Sequence, residues 1–174
     1  MALPGPGVPL SLNDIKGEFG GPASPSLGDY YAGGSYVPAG TTGTYGAVPT
    51  SGTISIQKFY GTQKFSISGG STFVDGSDTR LGAGSKTVTT SSASAGTIVG
   101  GTAPFSYLWE YVSGDTFSPN TSTSSSTTFS KNMTVSVGQT VTNTGVYRCR
   151  VTDSASNVIY GPNCTVETTL TETS

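Results

Sequence analysis

The motif that most constrains the fold of this chain lies near its C-terminus, where the sequence runs from Thr144 to Val151. Alternation there places Tyr147, Cys149 and Val151 on one face of an expected strand. The single tryptophan of the chain, Trp109, lies in a second alternating segment. Both segments therefore predict strands that turn a face of large side chains toward a core.

The spacing of glycine, tyrosine and cysteine in this motif is typical of the tyrosine corner that starts strand F of an immunoglobulin-like sandwich. A buried tryptophan on strand C is the usual partner of that corner. We therefore predict a mainly β protein in which residues 85–170 form an immunoglobulin-like β-sandwich. The structural core of the sandwich is expected to consist of Trp109, Phe129, Tyr147, Cys149 and Val151.

Alternation and turn residues predict an order of strands for the sandwich. The expected strands are A at Lys86–Ser91, B at Ala95–Val99, C at Tyr107–Val112, E at Thr127–Val135, F at Val146–Thr152 and G at Val158–Thr168. The polar segment Ser118–Ser126 predicts an irregular connection. Residues 171–174 are expected to form a tail, with fraying from Leu170 onward.

The two cysteines, Cys149 and Cys164, fall on the expected neighbouring strands F and G. A small bulge near Pro162 would bring the thiols close enough for a disulfide, formed after release from a reducing cytosol. Two buried free thiols are the other interpretation, and both stay open. Because the chain contains no histidine, neither thiol has the usual base that activates a catalytic cysteine.

Composition excludes several classes of function. Charged residues make up 10% of the 174 residues, the net charge is −2, and no basic cluster is present to neutralise nucleic-acid phosphates. No apolar run is long enough for a transmembrane helix, and Met1–Pro9 lacks the features of a secretory signal. The absence of histidine removes most transition-metal sites and many catalytic ones. We expect no catalytic residues, no metal site, no cofactor, no nucleic-acid binding and no membrane insertion.

Acidic residues offer two candidate sites, and the sequence argues against both. Asp75 and Asp78 lack the spacing and the bidentate glutamate of a calcium loop, and they predict a turn instead. Glu110 and Asp115 are the carboxylates nearest to the aromatic cluster, where a glycosidase would need a pair across a cleft. Because Glu110 alternates outward from Trp109 and Asp115 follows a turn glycine, both are expected on the surface.

Residues 1–62 differ from the rest, since they carry seven of the ten prolines and no long alternating strand. Three short units, Ser11–Gly21, Ser26–Gly34 and Ser55–Gly61, each open with serine and close with glycine. Serine and glycine are favoured caps at the start and end of a helix, so each unit predicts a short capped helix. Residues 63–84 are expected to bridge this segment to the sandwich.

Each unit presents apolar side chains that a helix of one or two turns cannot cover by itself. The expected interface anchors are Leu12, Ile15, Phe19, Leu27, Tyr30, Tyr31, Ile54, Phe59 and Tyr60. Short capped turns with regular anchors, separated by proline and glycine, are typical of a segment that becomes ordered when it docks onto another surface. Residues 1–62 are therefore interpreted as an anchoring arm, although aromatic side chains of this kind could also stack on sugars.

Taken together, the motifs at Ser11–Gly21, Ser26–Pro38 and Val48–Gly61 resemble the N-terminal region of many tailed-bacteriophage structural proteins of the tail or fibre type. This resemblance covers the first third of the chain. The motifs at Gly100–Trp109 and Gly145–Ser154 resemble immunoglobulin-like modules of bacterial surface proteins and phage virion proteins.

These resemblances imply a non-enzymatic structural component of a tailed-phage virion, assembled in the host cytoplasm and associated with the tail, neck or fibre. Its implied partners are other virion proteins and further copies of itself, in a homo-oligomer that docks through the arm and displays the immunoglobulin-like domain. Two alternatives stay open. One is a host-glycan-binding adhesion module, with the tyrosine-rich arm or the loops of the sandwich as its site, and the other is a capsid decoration protein.

Overall fold

The computed structural model describes residues 2–173 and has 44% of residues in strands and 9% in helices, which confirms the prediction of a mainly β protein. The chain divides into two compact units, and neither is a continuous stretch of sequence. Unit 1 comprises residues 2–66, Ile98–Phe105 and Thr152–Ile159, and unit 2 comprises Ile67–Thr97, Ser106–Val151 and residues 160–173. These ranges differ from the expected division at 62, 84 and 170, because two internal segments belong to the N-terminal unit.

The helical elements are short and fall on the three serine-capped units of the sequence. They are helix α1 (Leu12–Phe19) and two 3₁₀ turns, Leu27–Tyr30 and Ile56–Phe59. The strands are β1 (Thr42–Gly43), β2 (Gly46–Ala47), β3 (Ser66–Ser68), β4 (Phe73–Leu81), β5 (Gly84–Thr89), β6 (Ala93–Ser94), β7 (Thr97–Val99), β8 (Ser106–Gly114), β9 (Ser118–Pro119), β10 (Ser126–Thr127), β11 (Phe129–Val135), β12 (Thr140–Thr152), β13 (Val158–Tyr160) and β14 (Cys164–Thr173).

The larger sheet is organised by β12 and β14, which pair antiparallel with Tyr147 opposite Cys164. Strand β14 also pairs in parallel with β4, with Val166 opposite Val74, and β8 and β13 complete the five strands by pairing with β12. A second sheet has the order β5-β11-β9, in which β11 is antiparallel to both neighbours. Alternate residues of β14, and of β12 from Gly145 onward, are buried, so each strand turns one face to the core.

Strand β4 corrects the expectation of a turn at Asp75 and Asp78, because both residues lie inside this nine-residue strand. Pairing with β14 along its whole length overrides the local turn preference of aspartate and glycine. The carbonyl of Asp75 accepts the N–H of Ser91 at 2.8 Å, and the carboxylate of Asp78 lies 2.7 Å from the ammonium of Lys86. These contacts leave less of the outer edge of β4 open to other strands.

The two segments expected to form strands A and B have different pairing partners and positions in the strand order than predicted. Segment Lys86–Ser91 contributes to β5, which pairs with β11 over six residues instead of standing first in the fold. Segment Ala95–Val99 contributes only β7, which forms a two-stranded pair with β3. At Gly96 a side chain would overlap the backbone carbonyls of Ser68 and Gly69, so close approach of this pair requires glycine. The strand order is therefore shifted by one, with β4 as an additional first strand.

The C-terminal residues pair with other strands, which corrects the expectation of fraying from Leu170. Leu170 is fully buried, and β14 continues to Thr173. The carboxylate of Glu172 accepts the N–H of Gly82 at 3.1 Å and the N–H of Gly138 at 2.7 Å. Glu172 thereby satisfies backbone donors of two turns and fixes the end of the strand. The last residue of the expected tail, 174, lies outside the described residues.

The core of unit 2 is aromatic at its centre. The rings of Trp109 and Phe129 are 5.7 Å apart in an edge-to-face contact, and Phe129 lies 4.6 Å from Tyr147. All five residues expected in the core, Trp109, Phe129, Tyr147, Cys149 and Val151, are buried. The hydroxyl of Tyr147 accepts the N–H of Phe117 and donates to its carbonyl, both at 2.7 Å, so the buried hydroxyl is satisfied. Burial raises the pKa of Tyr147 above its ordinary value.

Candidate functional site

Two serine-capped turns fix the first predicted anchors in unit 1. At Ser11 the backbone N–H donates to the carboxylate of Asp14 at 2.8 Å, and the hydroxyl accepts the N–H of Asp14 at 3.3 Å. This is a capping box with aspartate in place of the usual glutamate, and it confirms the serine cap that the sequence predicted. The N–H of Ser26 donates to Asp29 in the same way, at 2.7 Å. Hydrogen bonds from the hydroxyl and backbone of Ser11 hold the pKa of Asp14 below its ordinary value.

Four of the predicted anchors are buried within the chain itself. Ile15, Phe19, Tyr30 and Phe59 are each at most 3% exposed. The ring of Phe59 lies 6.3 Å from those of Phe19 and Tyr30, in edge-to-face contacts. The three capped turns pack against one another and cover these side chains. This corrects the expectation that they remain free for another surface.

The other five predicted anchors are half-buried. They are Leu12, Leu27, Tyr31, Ile54 and Tyr60. The three aliphatic members of this group pack against the same core as Phe59. Tyr60 makes an edge contact with Tyr45 at 6.0 Å, and Tyr45 is 48% exposed. The pair of Tyr45 and Tyr60 is therefore an aromatic surface that stays available for contact.

A polar network that the sequence did not predict joins distant segments of unit 1. Asp153 is 5% exposed, accepts the N–H of Thr102 at 3.0 Å, and accepts the side-chain Nδ2 of Asn157 at 2.8 Å. The Nδ2 of Asn157 also donates to the carbonyl of Ala39 at 2.8 Å, and its Oδ1 accepts the N–H of Ala39 at 3.2 Å. One aspartate and one asparagine thus connect three parts of the chain.

The hydrogen bonds that the carboxylate of Asp153 accepts favour its ionised form. Burial alone would raise the pKa of Asp153, but hydrogen bonds from the side chain and backbone of Asn157 and from the N–H groups of Thr102 and Ala155 hold it below its ordinary value. The sequence signal for this arrangement is an aspartate with an asparagine four residues later in a hairpin turn, since both side chains commonly bond to nearby backbone.

Unit 1 also has a cleft of about 290 Å³ beside this network. Its lining residues are Gly34, Ser35, Tyr36, Pro38, Lys64, Phe65, Asn157, Val158 and Ile159. Phe65 is 4% exposed and stacks on Phe105, with ring centroids 5.9 Å apart and planes at 15°. The ring of Tyr36 lies 5.9 Å from that of Tyr30. Each aromatic residue of the cleft is therefore supported by a second ring.

The two carboxylates weighed as a glycosidase pair are each engaged with other groups. Glu110 on β8 lies 3.4 Å from Arg148 and 3.3 Å from Arg150 on β12. Asp115 lies 3.3 Å from Lys131 and accepts the backbone N–H of Thr144 at 3.0 Å. That backbone bond, followed by the bond from Lys131, holds the pKa of Asp115 below its ordinary value. Both carboxylates therefore act in surface ion pairs.

Both cysteines are free and buried. The register of β12 and β14 places Cys164 opposite Tyr147 and not opposite Cys149, so the geometry favours free thiols over a disulfide. Burial raises the pKa of Cys149 and of Cys164 to about 11. Both thiols consequently stay protonated at neutral pH, and a protonated thiol is a poor nucleophile.

Among residues 2–173, no group of three or more histidine, cysteine, aspartate or glutamate side chains is placed to hold a metal ion. The same part of the chain contains no helix with the length and apolar character needed to cross a membrane. Comparison of the chain with family models, curated proteins and solved structures finds no match.

Proposed function

We propose that the protein is a non-enzymatic structural component of a tailed-phage virion, associated with the tail, neck or fibre. The observation that carries this proposal is the set of motifs at Ser11–Gly21, Ser26–Pro38 and Val48–Gly61, which resembles the N-terminal region of tailed-phage structural proteins. All three motifs contribute buried residues to one hydrophobic core. They therefore belong to one packed module.

In this proposal unit 1 attaches the protein to the particle as a preformed body. Its most apolar side chains lie inside, so attachment would use side chains that stay exposed, such as Val8 at 53% and Tyr45 at 48%. A preformed surface avoids the ordering entropy that a disordered arm loses on binding. The partners would be other virion proteins and further copies of this chain in a symmetric assembly.

We further propose that unit 2 is an immunoglobulin-like domain. The sheet order supports this, since β5, β11 and β9 correspond to strands B, E and D, and β8, β12 and β14 to strands C, F and G. The hydroxyl of Tyr147 bonds to backbone, and Trp109 packs on Phe129, which are two features typical of such domains. Strand β4 beside β14 is an addition to the expected order.

The chemistry of the chain supports the absence of catalysis. The sequence has no histidine, and burial of both thiols raises their pKa to about 11. The carboxylates Glu110 and Asp115 are held in ion pairs with basic side chains. A chain with so few reactive groups fits a display or packing role better than turnover.

The test is to fuse a compact tag after the C-terminus and locate it on purified particles by electron microscopy. We expect the tag on the tail, neck or fibre, and we expect incomplete or non-infectious particles when the gene is deleted. A tag on the head, with infectivity intact after deletion, would support the capsid decoration protein instead. Purified particles that lack the protein would contradict a virion role altogether.

A host-glycan-binding adhesion module is the second candidate. The cleft of unit 1 favours it, because Tyr36 and Phe65 combine there with the polar side chains of Ser35, Lys64 and Asn157. Binding of the full chain to a glycan array would support this function, and the two candidates are compatible if the protein is displayed on a particle.

A further inference from the structure

We propose that the cleft of unit 1 binds a saccharide unit that carries an acidic group. This inference builds on the adhesion candidate, and it does not depend on where the protein sits in a particle. Its starting point is that side chains from three separate chain segments line one concavity of about 290 Å³. That volume is at the lower end of the range for ligand sites, which suits a small sugar better than a folded partner.

Two of the residues that line the cleft, Phe65 and Asn157, are held in place by contacts within unit 1. Asn157 cannot swing away, because its amide is bonded to the backbone of Ala39 and to the carboxylate of Asp153. Gly101 lies so close to Phe65 that a side chain at this position would overlap the phenyl ring. A site fixed in this way loses little side-chain entropy on binding, so weak contacts can add up to measurable affinity.

The mixture of lining groups matches the surface of a sugar. Tyr36, Pro38 and Val158 supply apolar surface, and Ser35 and Tyr36 supply hydroxyl groups. A pyranose ring presents an apolar face of C–H groups and a rim of hydroxyls, so it needs both kinds of contact. An aliphatic ligand would leave the hydroxyls without partners, and burial of unpaired polar groups is unfavourable.

The positive charge of Lys64 favours sugars that carry an acidic group. Lys64 is the one charged side chain among the described residues that line the cleft, and it is exposed. The carboxylate of Asp153 is occupied by backbone and amide donors, and Glu18 accepts the backbone N–H of Lys64 itself at 2.9 Å. With no carboxylate among the lining residues, the Lys64 ammonium favours a ligand with a carboxylate or another anionic group.

The test titrates the full chain with trigalacturonic acid and follows backbone amide shifts by NMR. The matched neutral probe is the same trisaccharide with all carboxylates methyl-esterified. We expect a dissociation constant of about 1 mM for the acid and amide shifts centred on the cleft. Added salt should weaken the binding of the acid. The ester should bind about threefold more weakly, as expected for the loss of one exposed charge pair.

Variants separate the charge from the aromatic contact. Lys64→Gln should weaken binding of the acid about threefold and remove the difference between acid and ester. Tyr36→Ala should weaken both probes about fivefold. Lys58→Gln and Tyr111→Ala are the matched controls, since Lys58 lies outside the cleft and the exposed Tyr111 belongs to unit 2, and they should leave both affinities unchanged. Thermal melts of each variant report whether the fold is kept.

The inference is overturned if no cleft amide shifts at probe concentrations well above the millimolar range. It is also overturned if acid and ester bind equally well, or if folded Lys64→Gln keeps the affinity of the parent chain. Should Tyr36→Ala fail to fold, Lys64→Gln decides the question by itself. None of these outcomes bears on the location of the tag on particles, so the virion proposal and this inference can fail independently.

Discussion

Unit 2 builds its core from long strands, and unit 1 builds its core from turns. In unit 2, β12 runs for 13 residues and β14 for 10, and alternate side chains point inward. In unit 1, the regular elements of residues 2–65 are an eight-residue helix, two four-residue 3₁₀ turns and a hairpin with two-residue strands. Both units nevertheless bury large aromatic side chains, such as Phe129 and Phe59.

The two units differ in how the backbone hydrogen-bonding groups around each core are satisfied. A sheet satisfies its backbone groups through ladders and leaves the side chains to pack. A core made of turns has few ladders, so side chains such as those of Ser11, Asp153 and Asn157 must satisfy backbone donors and acceptors. Replacement of these polar side chains should therefore lower the stability of unit 1. The stability of unit 2 should depend chiefly on how well its buried side chains pack.

The largest effect in unit 2 is expected from Trp109→Ala. Trp109 is 5% exposed and packs edge-to-face on Phe129, so truncation leaves a cavity and should lower the free energy of unfolding by about 3–5 kcal/mol. The measurement is urea denaturation followed by circular dichroism. Tyr111→Ala, on the same strand but 50% exposed, is the matched control and should have a much smaller effect. Equal losses from the two variants would contradict the placement of the core.

Phe59→Ala applies the same test to unit 1. Phe59 is fully buried between the rings of Phe19 and Tyr30, so its removal should also cost about 3–5 kcal/mol. Hydrogen exchange on the full chain should show protected amides around the turn Ile56–Phe59 in the parent and lost protection in the variant. Tyr60→Ala, at the half-buried neighbouring position, is the control. Unprotected amides in the parent chain would restore the interpretation of an undocked arm.

A smaller effect is expected from Asp153→Asn, which keeps the shape of the side chain and removes its charge. Four hydrogen bonds to the carboxylate should weaken, at a cost of about 2 kcal/mol at neutral pH. Because the pKa of Asp153 is lowered by folding, its contribution is present above its unfolded pKa of about 3.9 and is lost as pH falls through the folded value.

The measurement for Asp153→Asn is the free energy of unfolding between neutral pH and about pH 3, compared with the parent chain. The gap between the two proteins should be widest at neutral pH and should narrow in acid. Asp75→Asn is a suitable control, since Asp75 is exposed on β4. A gap that stays constant down to the lowest pH would mean that the charge of Asp153 makes no contribution.

The sequence predicted the core of unit 2 well because its signal is local and periodic. Trp109, Tyr147 and Cys149 each alternate within a single segment, and each is buried. The misread positions are those where a distant partner decides the structure. Asp75 lies in a strand because β14, about ninety residues further along the chain, pairs with it in parallel, and turn preference cannot reveal such a partner.

The packing of unit 1 and the position of its cleft could not be predicted from the sequence, for a related reason. The serine caps at Ser11 and Ser26 have a local signature and were predicted, whereas the packing of the turns on one another has none. Lys64 and Asn157 line the same cleft although they are far apart in the chain. No period or spacing connects two such residues, so only the fold reveals that they belong together.

The smallest expected effects concern helix α1. They test whether its serine cap and its helix propensity contribute measurably to the stability of the protein. Ser11→Ala removes the hydrogen bond from the N–H of Asp14 to the Ser11 hydroxyl and should lower the free energy of unfolding by about 1 kcal/mol. Gly17→Ala, in the same helix with open space around the added methyl group, should instead stabilise the protein by about 0.5–1 kcal/mol. Thermal unfolding of both variants decides the sign of each change. If α1 were formed only after docking to a partner, neither substitution would shift the unfolding transition of the isolated chain, so opposite shifts mean that the helix is part of the cooperative fold.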